Sequence, residues 1–154
     1  MLQIQAEGPV LRITLNRPEV RNAFNDELIN RLTAAFSNLP QGTRAVVLKG
    51  EGAAFCAGGD LEWMRKAAGY SEQENVRDAM HLARLFKAVA ECPAPVIALV
   101  HGAAFGGGAG LVSACDIAIA AEDTKFAFSE VKLGLIPSTI SQFVIAKIGR
   151  GHAR

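Results

Sequence analysis

The stretch Pro95-Val96-Ile97-Ala98-Leu99-Val100-His101-Gly102-Ala103-Ala104-Phe105-Gly106-Gly107-Gly108-Ala109-Gly110-Leu111-Val112 decides the fold class. Its opening run is uniformly apolar, the pattern of a strand buried on both faces of a parallel sheet. It then turns through His101-Gly102 into a glycine cluster from which a helix begins. Strand, glycine turn and helix together form the repeating step of an α/β fold.

Working outward, the same step recurs upstream. Ala45-Val46-Val47-Leu48 is a short apolar strand, and a glycine-punctuated loop follows through Phe55-Cys56-Ala57-Gly58-Gly59-Asp60 into a short helix from Leu61. Val10, Leu11, Ile13 and Leu15, with Arg12 and Thr14 between them, predict a strand ending at Asn16-Arg17-Pro18. Asn25 opens a helix with Asp26 and Glu27 at the positive end of its dipole and Leu28, Ile29, Leu32, Ala35 and Phe36 on one face. Ser71-Glu72-Gln73-Glu74 matches a capping box, and Val76, Ala79, Met80, Ala83, Phe86 and Ala90 continue a stripe that Pro93 must stop. Downstream, Ile117–Ala120 and Phe126–Phe128 predict two short strands, and Ser138 a cap for a last helix through Ile140, Phe143, Val144 and Ile148 up to Gly149. No repeat or linker interrupts the chain, so residues 1–154 are expected to form one α/β unit.

The composition narrows the function. With 154 residues, 50% of them hydrophobic, and 16 basic against 15 acidic side chains, the chain lacks the electrostatic footprint of a nucleic-acid binder. Apolar runs such as Ala94–Val100 fall well short of the ~20 residues that span a bilayer, and the segment Met1–Glu7 has neither the basic nor the apolar region of a secretion signal. Cysteines at 56, 92 and 115 form no CxxC, which predicts reduced thiols in a cytoplasmic compartment. No His, Cys or carboxylate cluster has metal spacing, so no metal is expected.

The unusual number is 15 glycines, seven of them at 50, 52, 58, 59, 106, 107 and 108. Two glycine loops, each following an apolar strand and preceding a helix, supply exposed backbone N–H groups. Such donors can stabilise a developing oxyanion, and glycine admits the close approach. The same glycines also suit tight turns and close helix packing, and the residues alone leave both uses open. Dinucleotide binding fails on register, because Leu111 stands where a third small residue is required, and the Gly50–Gly58 loop lacks the Gly-Lys-Ser/Thr of a phosphate loop.

Five motifs in order carry a resemblance: Asn16-Arg17-Pro18 with Asn22-Ala23; Phe55-Cys56-Ala57-Gly58-Gly59-Asp60-Leu61; His101 through Gly108; Cys115-Asp116; and Phe128-Ser129-Glu130-Val131-Lys132-Leu133-Gly134-Leu135-Ile136-Pro137. Together the chain resembles the N-terminal part of the enoyl-CoA hydratase/isomerase (crotonase) family. The resemblance implies a ClpP/crotonase-like spiral of ββα units that binds an acyl-CoA thioester, with the C-terminal helical region of the family expected to lie outside these residues. It implies that Gly59 and Gly107 N–H groups form the oxyanion hole and that Val20, Arg21 and Ala57 contact the CoA moiety. Asp60 and Leu61 belong to the same substrate-binding segment, with Asp60 also expected to order its loop or cap the following helix, and Leu61, Trp63 and Met64 border the acyl pocket. Coenzyme A enters as part of the substrate, so no separate cofactor is implied. Full-length family members form trimers and hexamers.

The resemblance also names Glu130 as the acid/base; on the residues alone, a surface carboxylate or a partner of Lys132 is the other reading. Two-carboxylate hydratases of the family carry a second Glu where this chain has Gly110. Single-carboxylate members include Δ3,Δ2-enoyl-CoA isomerases, which move one proton with one acid. The runs Phe55–Met64 and Phe105–Leu111 nevertheless resemble bacterial methylglutaconyl-CoA hydratases of leucine breakdown. Hydration of an enoyl- or methylglutaconyl-type thioester is therefore the first expectation, isomerisation the second, and a non-catalytic CoA-binding or interaction fragment the third. His101 is expected to make a structural hydrogen bond, Asp116 to anchor a helix-to-strand turn, and Cys56 and Cys115 to be inert. Arg65 and Lys66 suit either CoA phosphates or a solvated helix face.

Overall fold

A computed structural model describes residues 1–154. The elements run in chain order β1 (Leu2–Glu7), β2 (Val10–Leu15), α1 (Asp26–Ser37), β3 (Ala45–Gly50), α2 (Leu61–Ala67), α3 (Glu72–Ala90), β4 (Val96–Val100), β5 (Ala103–Phe105), α4 (Gly107–Ala114), β6 (Ile117–Ala120), β7 (Lys125–Ala127) and α5 (Ser138–His152). Five strands form one sheet in the order β1-β2-β3-β4-β6, antiparallel only between β1 and β2; β5 and β7 pair separately and in parallel. Single turns of 3-10 helix at Pro18–Val20 and Glu130–Leu133 complete the chain.

The core lies on one face of the large sheet. Leu11, Ile13 and Leu15 of β2, Val46 and Leu48 of β3, and Val96, Ala98 and Val100 of β4 meet Leu28, Ile29, Leu32 and Phe36 of α1 and Leu85, Phe86 and Val89 of α3. Alternate residues point into this cluster, so Ile97 and Leu99 are only half-buried. The expectation that β4 is buried on both faces is therefore corrected: an uninterrupted apolar sequence here has one sealed and one partly open face.

Local signals place most elements. The Asn25 side chain accepts the Leu28 N–H at 2.9 Å and starts α1. At α3 the capping box is complete, with the Ser71 hydroxyl accepting the Glu74 N–H and the Glu74 carboxylate accepting the Ser71 N–H. Gly149, at φ 76° and ψ 159°, interrupts α5 where the last helix was expected to stop, and one further turn follows it. Ser138 is not the cap: Pro137 holds that position, and the Ser138 carbonyl accepts the Ser141 hydroxyl instead. β5 lacks a sequence signal, having three residues held by pairing to β7, whereas β1, outside the strands predicted above, alternates Leu2, Ile4 and Ala6 with Gln3, Gln5 and Glu7 and pairs with β2. No helix is long and apolar enough to cross a membrane.

Candidate active site

The two glycine loops are laced together along their length. Phe55 N–H donates to the His101 carbonyl, Cys56 N–H to Ala103 and Phe105 N–H to Cys56, all at 3.0–3.1 Å. A side chain at Gly58 would meet the Phe105 carbonyl at 2.9 Å and the Gly107 nitrogen at 3.7 Å, so the two turns lie directly against each other. At Gly108 a Cβ would meet the Cys56 carbonyl and approach the Cys56 Cβ at 2.9 Å. Glycine is required at both positions because the backbones themselves are in contact.

Within the glycine runs 58–59 and 106–108, one glycine each is open to solvent. Gly58, Gly106 and Gly108 are buried, whereas Gly59 and Gly107 are half-exposed. Neither the Gly59 nor the Gly107 N–H donates to a group of the protein, while their neighbours Asp60 and Gly106 donate to Phe24 and Ala127. Gly107 is also the first residue of α4, where free N–H groups and the helix dipole favour negative charge. The structure thus presents two accessible, unspent donors from adjacent turns.

Glu130 stands beside them. A side chain on Gly106 would meet its Oε1 at 3.1 Å, so the carboxylate lies against the turn that leads into Gly107. Its Oε2 is buried and has no hydrogen-bond partner in the protein. Buried polar atoms are satisfied almost everywhere in native proteins, and an orphaned one calls for an explanation, a catalytic role or a bound molecule among them. The 3-10 turn that carries Glu130 closes at Gly134, whose φ of 70° is left-handed.

Asp60 and Arg17 brace the first turn. Arg17 Nη2 donates to Asp60 Oδ2 at 3.0 Å and Nη1 donates to the Ala23 carbonyl. Asp60 Oδ1 accepts the N–H groups of Glu62 and Trp63, which caps α2. Burial pushes the Asp60 carboxyl up, but the Arg17 guanidinium and the two backbone donors outweigh it and hold the group below its ordinary range. Asp60 thereby orders the Gly59 turn and caps the helix after it, as expected of it from the sequence.

Ala57 and Arg21 come together, the Ala57 N–H donating to the Arg21 carbonyl at 2.9 Å, and Val20 and Arg21 are exposed there. Arg21 and Asn22 take left-handed φ values of 52° and 57°. Asn22 is fully buried; its Oδ1 accepts the Arg17 N–H and its Nδ2 donates to the Glu51 and Ala54 carbonyls. Arg17 and Asn22 were visible as motif residues without a role; only the three-dimensional pairing shows what they hold.

Met64 and Trp63 flank Gly59, with Met64 Sδ 3.2 Å and Trp63 Cζ3 3.6 Å from where a Cβ would stand. The Trp63 indole N–H donates to Asp26 Oδ1 at 3.2 Å, fixing the ring to α1. Leu61 is 63% exposed at the start of α2. His101 Nε2 lies 2.8 Å from the Gly52 carbonyl, and Asp116 Oδ2 accepts the Val96 N–H at 2.7 Å where β4 begins. Burial pushes the thiols of Cys56 and Cys115 up to about 12, which removes them as nucleophiles near neutral pH.

The family model described as enoyl-CoA hydratase/isomerase matches residues 5–154. The chain belongs to this enoyl-CoA hydratase/isomerase family. It is 37% identical over 156 residues to a Thermus thermophilus protein named as an enoyl-CoA hydratase, covering 100% of this chain and 61% of that one. Among solved structures, an enoyl-CoA hydratase of Shewanella pealeana superposes with a TM-score of 0.96 at 41% identity, covering 99% of this chain and 58% of the other. Pseudomonas aeruginosa AtuE gives a TM-score of 0.95 at 37% identity, covering 99% and 60%. The fold is that of the crotonase family, and the chain spans about three-fifths of the length of these relatives.

Proposed function

We propose that the site hydrates an α,β-unsaturated acyl-CoA thioester. The observation that carries this reading is the unpartnered, buried Oε2 of Glu130 beside the turn that ends in the free N–H of Gly107. In the proposed reaction the thioester oxygen accepts the N–H groups of Gly59 and Gly107. Glu130 takes a proton from water as the water oxygen bonds to the β carbon, negative charge collects on the thioester oxygen, and Glu130 returns the proton to the α carbon. One oxyanion donor is worth about 2.7–4 kcal/mol to such a transition state, and a positioned acid/base about 10²–10⁴ in rate.

Val20, Arg21 and Ala57 are the proposed contacts for the CoA portion, and Leu61, Trp63 and Met64 the border of the acyl portion. A methylglutaconyl-type acyl group is supported by the resemblance of the runs around Gly59 and Gly107. No separate cofactor enters the proposal, and assembly into trimers or hexamers is proposed for a full-length form rather than for these 154 residues. Gly110 favours a second reading, Δ3,Δ2-isomerisation, because one carboxylate suffices to carry one proton between carbons.

Absorbance of the conjugated enoyl thioester separates the readings. Hydration of a 2-enoyl-CoA removes it, and isomerisation of a 3-enoyl-CoA creates it. Glu130→Gln is expected to lower the observed activity by about 10²–10⁴. An unchanged rate overturns the assignment of Glu130, and CoA-thioester binding without turnover by the parent chain favours the binding-fragment reading.

A further inference from the structure

Gly110 lies one helical turn into α4 beyond Gly106, whose carbonyl accepts its N–H at 3.0 Å. Gly106 is the N-cap of α4, at a left-handed φ of 48°, so Gly110 stands one turn along the helix from the residue that Glu130 abuts. No side chain fits at Gly110. A Cβ there would collide with Cγ2 of Ile140, stand 2.8 Å from the Ile140 Cβ and touch Phe86 Cζ at 3.4 Å. Ile140 is 3% exposed and belongs to the main core cluster. Its branched side chain on α5 is held in a packed wall and cannot swing away cheaply.

We propose that Ile140 is a specificity-determining residue: its side chain fills the space into which a side chain at position 110 would project, leaving Glu130 as the acid/base at the start of α4. The assignment rests on the thioester reading above for its chemical meaning, and on packing alone for its structural part. With hydrocarbon one turn from the Glu130 contact, no second carboxylate can be installed there to hold or deprotonate water. Proton movement at the α carbon and any activation of water then fall to the same group. Reaction outcome is thereby tied to residue 140, thirty positions from the glycine it faces.

The test has two independent arms. Gly110→Ala is placed in the parent chain, in Ile140→Ala and in Ile140→Gly, and Tm is read for each pair. With Ile140 present the added methyl is expected to lower Tm by about 3–10 °C. The drop shrinks with Ala at 140, where only the Cβ contact persists, and vanishes or reverses with Gly, because alanine is the better helix former. If Ile140→Gly does not fold, the comparison between Ile and Ala still decides. The same drop in every background overturns the proposal.

In the second arm, Gly110→Glu is made with and without Ile140→Gly, and water addition to a 2-enoyl-CoA is measured against deuterium exchange at the α carbon. The double variant alone is expected to raise the ratio of hydration to exchange, by about 10². An equal gain from Gly110→Glu with Ile140 in place overturns the proposal. A graded Tm series with no thioester chemistry in any variant removes the thioester reading and leaves the packing assignment standing.

Discussion

The loops at 55–60 and 101–108 are sealed into the framework, whereas residues 117–136, which deliver Glu130, leave most of their apolar side chains open. Phe55, Cys56 and Ala104 are fully buried, and backbone hydrogen bonds join the two loops residue by residue. In the other region Val131 and Ile136 are each 78% exposed, and Ile117, Ile119, Phe126 and Leu135 are at least half exposed. The proposed oxyanion donors therefore come from backbone whose geometry is over-determined, and the proposed acid/base comes from a turn with few packing constraints. Local stability follows buried contacts, so the donor half should be rigid and the acid half should open first.

The sharpest way to break that comparison is to add one methyl to each half. Gly108→Ala drives a Cβ into the Cys56 carbonyl, where only backbone can yield, and should destabilise the protein by about 3 kcal/mol in denaturant unfolding. Gly134→Ala meets nothing within 4 Å and should cost only the left-handed backbone penalty, about 1 kcal/mol. Equal losses would erase the distinction between the regions.

The Arg17–Asp60 pair gives the next largest effect. Because the folded state holds the Asp60 carboxyl below its ordinary range, ionised Asp60 contributes stability that is complete above the unfolded value and is lost as pH falls through the folded one. Asp60→Asn should cost about 2 kcal/mol near neutral pH and flatten the decline of stability below about pH 4. An unaltered acid profile would mean that the pair does not brace the Gly59 turn.

Much of this framework was legible in the sequence because its causes are local. Asn25, Ser71 and Glu74 cap their helices through neighbours three residues away, and the glycine loops announce themselves by composition. What stayed hidden depends on contacts across the chain. Arg17 finds Asp60 forty-three residues on, β5 exists only through β7, and the half-open face of β4 cannot be read from an apolar run. Glu130 was named by resemblance; its orphaned oxygen beside Gly106 is visible only in the structure.

Two smaller effects probe the open half. Amide hydrogen exchange should be slowest in β3 and β4 and at Phe55 and Cys56, and markedly faster in β6, β7 and the turn at Glu130–Leu133; uniform protection would contradict the contrast. Leu135→Lys, at a half-exposed site, should change unfolding free energy by no more than about 0.5 kcal/mol while improving solubility. A large destabilisation would show that this surface is packed in solution.

The central claim is that Gly59 and Gly107 present their N–H groups to one thioester oxygen. Its most direct test is an amide NMR titration of the 154-residue chain with acetoacetyl-CoA. The Gly59 and Gly107 amide protons are expected to shift downfield together, with one saturation curve, while the hydrogen-bonded amides of Cys56 and Phe105 stay in place. Saturable binding that leaves both glycine amides unmoved would contradict it.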